Sequence, residues 1–170
     1  GVICSFNAMD KLISKKIFLK NKIKTPKYFS IKKNYEIASI KKELKINRIS
    51  FPIIVKPTNE GSSLGVELCK NKNSLLKSVK KILKKYNQVI IEKYIGGQEI
   101  QVAIINGKPL GAIELVPKRK FYDYRAKYTK AAKTKHIMPA RLSKAKYREV
   151  LKIAKKTHNV FKCRGVTRAD

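Results

Sequence analysis

The spacing of apolar residues changes period along the chain, and each change marks an element. Met9, Leu12 and Ile13 recur at helical spacing and predict a helix over residues 8–22, with Asn7 as its cap and Thr25-Pro26 as its stop. Residues 25–29 read as a short extended segment, and residues 34–46 as a second helix capped by Asn34. Ile53, Ile54 and Val55 form a β-branched run after Pro52, the composition of a buried strand. Val66 to Cys69 alternates as another short strand. The clearest helical pattern follows. Leu75, Leu76, Val79, Ile82, Leu83 and Tyr86 share one face behind an Asn73-Ser74 cap, and Lys77, Lys80, Lys81, Lys84 and Lys85 fill the wet face.

The period then returns to two. Residues 88–94 form a strand ending in Glu92 and Lys93, Gly96-Gly97 turns the chain, and residues 98–105 form the next strand. Asn106-Gly107 is a strong hairpin signal leading into a strand over residues 110–116. Residues 118–139 read as irregular and polar, a loop long enough to suggest a functional role. Ser143 caps a helix to about residue 159, with Val150, Leu151, Ala154 and His158 on its inner face, and His158 reads as a packed side chain. Residues 163–170 begin a last strand. Residues 30–90 thus alternate helix and strand, and the middle of the chain is antiparallel sheet.

One stretch combines these elements with chemistry. Lys56 places an ammonium at the end of the 53–55 strand, and Pro57 blocks further ladder pairing. Gly61, Ser62, Ser63 and Gly65 follow as a small, donor-rich loop. A lysine beside such a loop suits phosphate, because backbone N–H groups and hydroxyls approach closely next to a point charge. The loop is not a Walker A motif, which needs Gly-Lys-Ser/Thr four residues after a glycine.

Composition narrows the classes. A 170-residue chain with 43% hydrophobic residues holds a core without disulfide staples. No apolar run reaches membrane-spanning length. The first residues lack the basic and apolar regions of a signal peptide, and Gly1 stands where an initiator Met is expected, so the chain reads as an internal fragment. Cys4, Cys69 and Cys163 are odd in number and far apart, and read as reduced thiols in a cytoplasm. The net charge of +30 invites a nucleic-acid partner, but the lysines are spread over nearly every segment and lack interleaved aromatics, so no specific nucleic acid is expected.

Three features stand in order: Lys56 with the Gly61–Gly65 loop, the strand end and turn over residues 90–99, and Phe121-Tyr-Asp-Tyr-Arg-Ala-Lys-Tyr128. A nucleotide needs cations for its phosphates, exposed backbone for adenine and a carboxylate for ribose. Together with Met9-Asp10-Lys11, Pro139-Ala140 and Gly165-Val-Thr-Arg-Ala-Asp170, they make the chain resemble the ATP-grasp ligases, and among them the D-alanine–D-alanine ligases. The resemblance runs the length of the chain, and the Tyr-Asp-Tyr-x-Ala-Lys-Tyr element is its most specific part.

The resemblance implies an α+β ATP-grasp fold. Residues 1–94 would be the small central α/β subdomain, and residues 95–170 the C-terminal antiparallel-sheet subdomain, cut before the end of its metal site. It implies ATP and Mg²⁺ (or Mn²⁺) as cofactors and D-alanine as substrate, in a cytoplasmic homodimer with no membrane insertion. Lys11 and Lys56 would hold ATP phosphates. Glu92, Lys93 and Ile95 would line adenine, mainly through backbone, and Glu99 would accept from ribose. Ser62 and Ser63 belong to the loop that closes over phosphates and substrate. Lys127 would neutralise the transferring phosphoryl group, and Tyr128 would close the lid against Ser62. Arg168 would stabilise the tetrahedral oxyanion, and Asp170 would be the first Mg²⁺ ligand. A Tyr at the position of Tyr128 goes in this family with an amine acceptor, which favours D-alanine over D-lactate as second substrate.

The chain departs from the family pattern in places. It lacks the N-terminal substrate domain and ends before a Glu-x-Asn segment of the metal site, so the fragment alone is expected to be inactive. Lys135 stands where an acidic residue is more usual, and residues 129–133 lack the usual glycines. Another ATP-grasp carboxylate–amine ligase and a basic nucleic-acid-binding module stay open as alternatives.

Overall fold

The computed structural model describes residues 1–117 and 134–170. They fall into two units, one made of Asp10–Leu12 and Thr25–Gly96, the other of Gly1–Met9, Ile13–Lys24 and Gly97–Asp170.

The first unit is a four-stranded antiparallel sheet in the order β1-β4-β2-β3. Its strands are β1 (Tyr28–Lys32), β2 (Ile53–Pro57), β3 (Glu67–Cys69) and β4 (Gln88–Lys93). Helix α4 (Lys72–Lys85) packs on one face of the sheet. Leu75, Val79, Ile82 and Leu83 on α4 meet Ile53, Val55, Val89 and Ile91 on the strands. The expected apolar stripe of α4 is therefore the one buried. Its cap is Asn71, two residues before the position expected at Asn73-Ser74. Asn71 Oδ1 accepts from the Ser74 backbone N–H at 2.9 Å, and Ser74 Oγ answers the Asn71 N–H at 3.2 Å. This reciprocal box satisfies two orphan groups at once, which a cap at Asn73 would not. The helix expected over residues 34–46 is a 3₁₀ turn (Ile37–Ser39) followed by α3 (Ile40–Ile46).

The second unit is an antiparallel sheet in the order β7-β6-β5-β8. Its strands are β5 (Glu99–Ile105), β6 (Lys108–Val116), β7 (Lys135–Ile137) and β8 (Val166–Ala169). Asn106 and Gly107 both take positive φ, 47° and 76°, as a two-residue hairpin between β5 and β6 demands. Helix α5 (Lys144–Val160) covers one face, burying Ala154 against Val102, Ile104 and Ala112. His158 is buried there, with Nδ1 2.8 Å from Thr167 Oγ1 on β8, and so is a packed side chain as expected. Strand β7 corrects the reading of residues 118–139 as wholly irregular, since it pairs with Glu114 to Val116 of β6.

Two expectations near the N-terminus are overturned. The helix predicted over residues 8–22 is two helices, α1 (Val2–Met9) and α2 (Lys11–Lys20), broken at Asp10. Asp10 Oδ1 accepts from the Leu12 N–H at 2.7 Å, the bond of an N-cap, so Asp10 and not Asn7 starts the second helix. The cysteines are also not all reduced: Cys4 and Cys163 form a disulfide across 159 residues of sequence. The fold brings α1 beside the end of α5, an approach that cysteine spacing cannot reveal. The Phe18 and Phe161 rings meet near the same end, tilted by 53° with their centroids 5.4 Å apart. Cys69 remains free and buried, with burial raising its thiol pKa.

Candidate functional site

Strand alternation decides which side chains are available for chemistry. In the first sheet Ile53 and Val55 face α4, so Ile54 and Lys56 face the other way. The β2–β4 register sets Ile54 opposite Glu92 and Lys56 opposite Ile90, so Glu92 shares the face of Lys56. There the Lys56 ammonium pairs with Glu92 Oε1. The side chains are only 18% and 8% exposed, so the pair is largely desolvated. Glu92 was expected to act mainly through backbone, and its carboxylate has this second engagement.

Beyond β2 the chain enters the Gly/Ser loop. Lys11, at the first position of α2, donates from its backbone N–H to Thr58 O at 3.0 Å. Its ammonium reaches the carbonyl oxygens of Thr58, at 3.4 Å, and Glu60. Asn59, with its amide oriented to suit its neighbours, donates to Thr58 Oγ1 at 3.0 Å and to Asp10 Oδ2 at 3.2 Å. Asp10-Lys11 and the foot of the loop are thus one hydrogen-bonded structure. The Lys11 pKa is lowered, first by burial and next by the nearby Lys56 ammonium. Two cations that oppose each other in a partly buried place suit a polyanion, which would relieve both.

The loop itself is tightly wound. Ser62, Ser63 and Gly65 take positive φ of 51°, 61° and 70°, while Leu64 N–H donates to Gly61 O at 2.9 Å. A Cβ at Gly65 would lie 3.1 Å from two carbons of the Pro57 ring, so position 65 requires glycine for contact as well as for φ. Glu60, the residue before the loop, accepts at Oε1 from the Tyr86 hydroxyl at 2.5 Å.

The second sheet repeats the arrangement. Val102 and Ile104 of β5 face α5, so Glu99 and Ala103 face away. Register places Arg168 of β8 opposite Ala103, and Asp170 lies two residues on, so Glu99, Arg168 and Asp170 share the open face. Arg168 Nε and Nη2 donate to the Asp170 carboxylate at 2.9 and 3.3 Å. Among the described residues no group of three or more His, Cys, Asp or Glu side chains could hold a metal ion. Asp170 is a single carboxylate donor, which suits Mg²⁺ that takes one or two carboxylates and completes its shell with phosphate oxygen and water.

On the helix side of this sheet, buried Glu114 is braced by Arg141. The Arg141 side chain donates to its two oxygens at 2.8 and 2.9 Å, and Gln98 donates at 3.1 Å. The Arg141 and Gln98 bonds hold the Glu114 pKa down from 4.5 to about 2. A carboxyl depressed on folding contributes stability above its unfolded pKa and loses it as pH falls through the folded value. Denaturant midpoints measured against pH should fall between pH 4.5 and about 2, and Glu114→Gln should flatten that limb.

Of the residues singled out from sequence, Lys11, Lys56, Ser62, Ser63, Glu92, Lys93 and Ile95 lie in or beside the first sheet. Lys11 is bonded at the foot of the loop and feels the Lys56 ammonium; Lys93 and Ile95 are exposed beyond the end of the Glu92 pair. Glu99, Arg168 and Asp170 belong to the second unit. Lys127 and Tyr128, with the rest of the Phe121–Tyr128 segment, lie outside the described residues. Sequence reasoning missed Tyr86 as a partner of Glu60, and Asp10 as the tie between α2 and the loop. Tyr86 carries no signal of this beyond its place at the end of an amphipathic helix.

Comparison with known proteins bears on the same residues. A family model described as D-ala D-ala ligase C-terminus matches residues 17–170. A D-alanine–D-alanine ligase of Pelagibacter ubique (strain HTCC1062) is 56% identical, over the whole of this chain and 55% of its own length. Among solved structures, a D-alanine–D-alanine ligase from Bacillus anthracis superposes with a TM-score of 0.81 at 32% identity, over 98% of this chain and 53% of that one. The Bacillus anthracis ligase complexed with ATP matches at a TM-score of 0.78 and 26% identity, over 98% and 50%. The chain spans about half the length of the relatives it matches. The α+β architecture with antiparallel sheets is that of these ATP-grasp ligases, as the sequence motifs implied.

Proposed function

The chain belongs to the D-alanine–D-alanine ligase C-terminus family, and from that premise we propose that it is the ATP-grasp portion of a ligase that joins two D-alanines. The observation that carries this reading is two cations near enough to oppose each other: Lys11, bonded to the carbonyls of Thr58 and Glu60 at the foot of the Gly61–Gly65 loop, and Lys56, on the sheet face that α4 leaves open. Family resemblance supplies the substrate.

In this reading Lys56 and Lys11 hold the phosphates of ATP. Each charge-assisted bond contributes about 1.5–3 kcal/mol. Backbone from Glu92 to Ile95 receives adenine, and Glu99 accepts from the ribose hydroxyls. The Ser62 and Ser63 amides and hydroxyls cover the phosphates. Lys127 and Tyr128 act from the segment before β7, and the Tyr at 128 favours an amine as acceptor. The carboxylate of one D-alanine takes the γ-phosphoryl group to give an acyl phosphate and ADP. The amine of the second attacks that carbonyl and phosphate leaves. Arg168 stabilises the oxyanion formed between these events. Asp170 would hold Mg²⁺ (or Mn²⁺), which when bound offsets phosphate charge. The dipeptide serves peptidoglycan precursor synthesis, and the same reading takes the whole ligase as a cytoplasmic homodimer.

The test is ADP release by the whole ligase with ATP, Mg²⁺ and D-alanine. Release that depends on D-alanine and yields the dipeptide is expected. ADP release indifferent to D-alanine would overturn the reading.

A further inference from the structure

Glu60 is held at both its ends. Its carbonyl accepts from the Lys11 ammonium, and its carboxylate accepts from the Tyr86 hydroxyl at 2.5 Å. Tyr86 is the C-cap of α4, its N–H donating to Ile82 O at 2.9 Å. That helix end is fixed in turn, because Ile82 and Leu83 are buried against the sheet. The Lys85 ammonium lies over the Tyr86 ring, 5.1 Å from its centre. From the first sheet's core, then, a continuous run of packed and bonded groups reaches the residue immediately before the Gly61–Gly65 loop. The far end of the loop is seated by Gly65 against Pro57.

We infer that Glu60 and Tyr86 are positioning residues for the phosphate loop: the Tyr86 hydroxyl, through the Glu60 carboxylate, fixes the stem from which Gly61 to Ser63 present their amides. A short O–H···O⁻ bond is among the stronger kinds, and it draws on a rigid helix end for its donor. With both stems fixed, the left-handed residues of the loop are strung between two anchored ends. A loop prepared in this way loses less freedom on taking up a phosphate. The consequence for binding rests on the nucleotide reading above; the tether itself does not.

The experiment compares the whole ligase with its Tyr86→Phe variant, which removes one oxygen and keeps the ring, and with its Glu60→Gln variant, which keeps an acceptor. Hydrogen exchange is read without ligand at the Leu64 and Val66 amides, which bond to Gly61 O and Ser63 O within the loop. In Tyr86→Phe these amides should exchange about tenfold faster, the equivalent of one lost hydrogen bond, while amides within α4 keep their rates. ATP with Mg²⁺ should bind about tenfold more weakly to that variant and adenosine as before, because only the phosphates meet the loop. Glu60→Gln, whose neutral amide oxygen accepts more weakly than the carboxylate, should fall between the parent and Tyr86→Phe in both. Unchanged loop exchange in Tyr86→Phe overturns the tether, as does an equal loss of ATP and adenosine. A parent ligase that binds no ATP, with the exchange difference intact, leaves the tether standing and removes the nucleotide reading instead.

Discussion

Replacing Lys56 by Met is expected to destabilise the first unit by about 3 kcal/mol, because it strips a buried carboxylate of its cation. The same change should weaken ATP binding roughly tenfold to a hundredfold, the loss of one charge-assisted bond to phosphate. Two effects from one substitution need separating. Glu92 lies opposite Ile54, two residues from Lys56, on the face away from α4. Breaking an ion pair there costs far more than breaking one in water, where screening leaves about 0–1 kcal/mol. If the partner is neutralised as well, the uncompensated charge disappears. The double variant Lys56→Met with Glu92→Gln should therefore recover most of the urea midpoint. It should not recover ATP affinity, because the ammonium is still missing. Recovery of both would mean that Lys56 serves only to neutralise Glu92.

The local structure of this stretch is legible in the sequence, for a physical reason. The 53–57 strand, the Gly/Ser loop and the α4 stripe depend on contacts close in sequence, and β-branched runs, glycines and 3.6-residue spacing report on such contacts directly. The requirement for glycine at 65 is of this kind, since φ and the Pro57 ring both act within nine residues. What escaped depends on approach between distant segments. Glu60 and Tyr86 are 26 positions apart, and Cys4 and Cys163 are 159 apart; nothing in either residue's own neighbourhood marks its partner. Helix α1 escaped for the opposite reason. Val2, Ile3, Phe6 and Met9 are all exposed, so its apolar residues form no buried stripe from which a start could be fixed. Ser62 and Ser63 in the left-handed region were also not foreseen, because that conformation favours glycine and is imposed here by the winding of the loop.

Arg168→Ala in the whole ligase is expected to lower kcat by roughly 10²–10³, the usual loss when one oxyanion donor is removed, with KM for ATP little changed. Asp170→Asn should instead raise the Mg²⁺ and ATP concentrations needed for turnover. The contrast is sharp because the two side chains bond to each other, at 2.9 and 3.3 Å, on the open face of the second sheet. Were the pair merely structural, either variant would break the same bonds and the two kinetic profiles would coincide. The pair is exposed, so its own contribution to stability is small and neither variant should unfold the protein. A divergence between kcat and metal requirement would thus report chemistry at each residue. A further variant, Arg168→Lys, keeps the charge and gives up the planar fork, and should recover only part of the rate if geometry at the oxyanion matters. Coincident profiles for Arg168→Ala and Asp170→Asn would remove both residues from the reaction together.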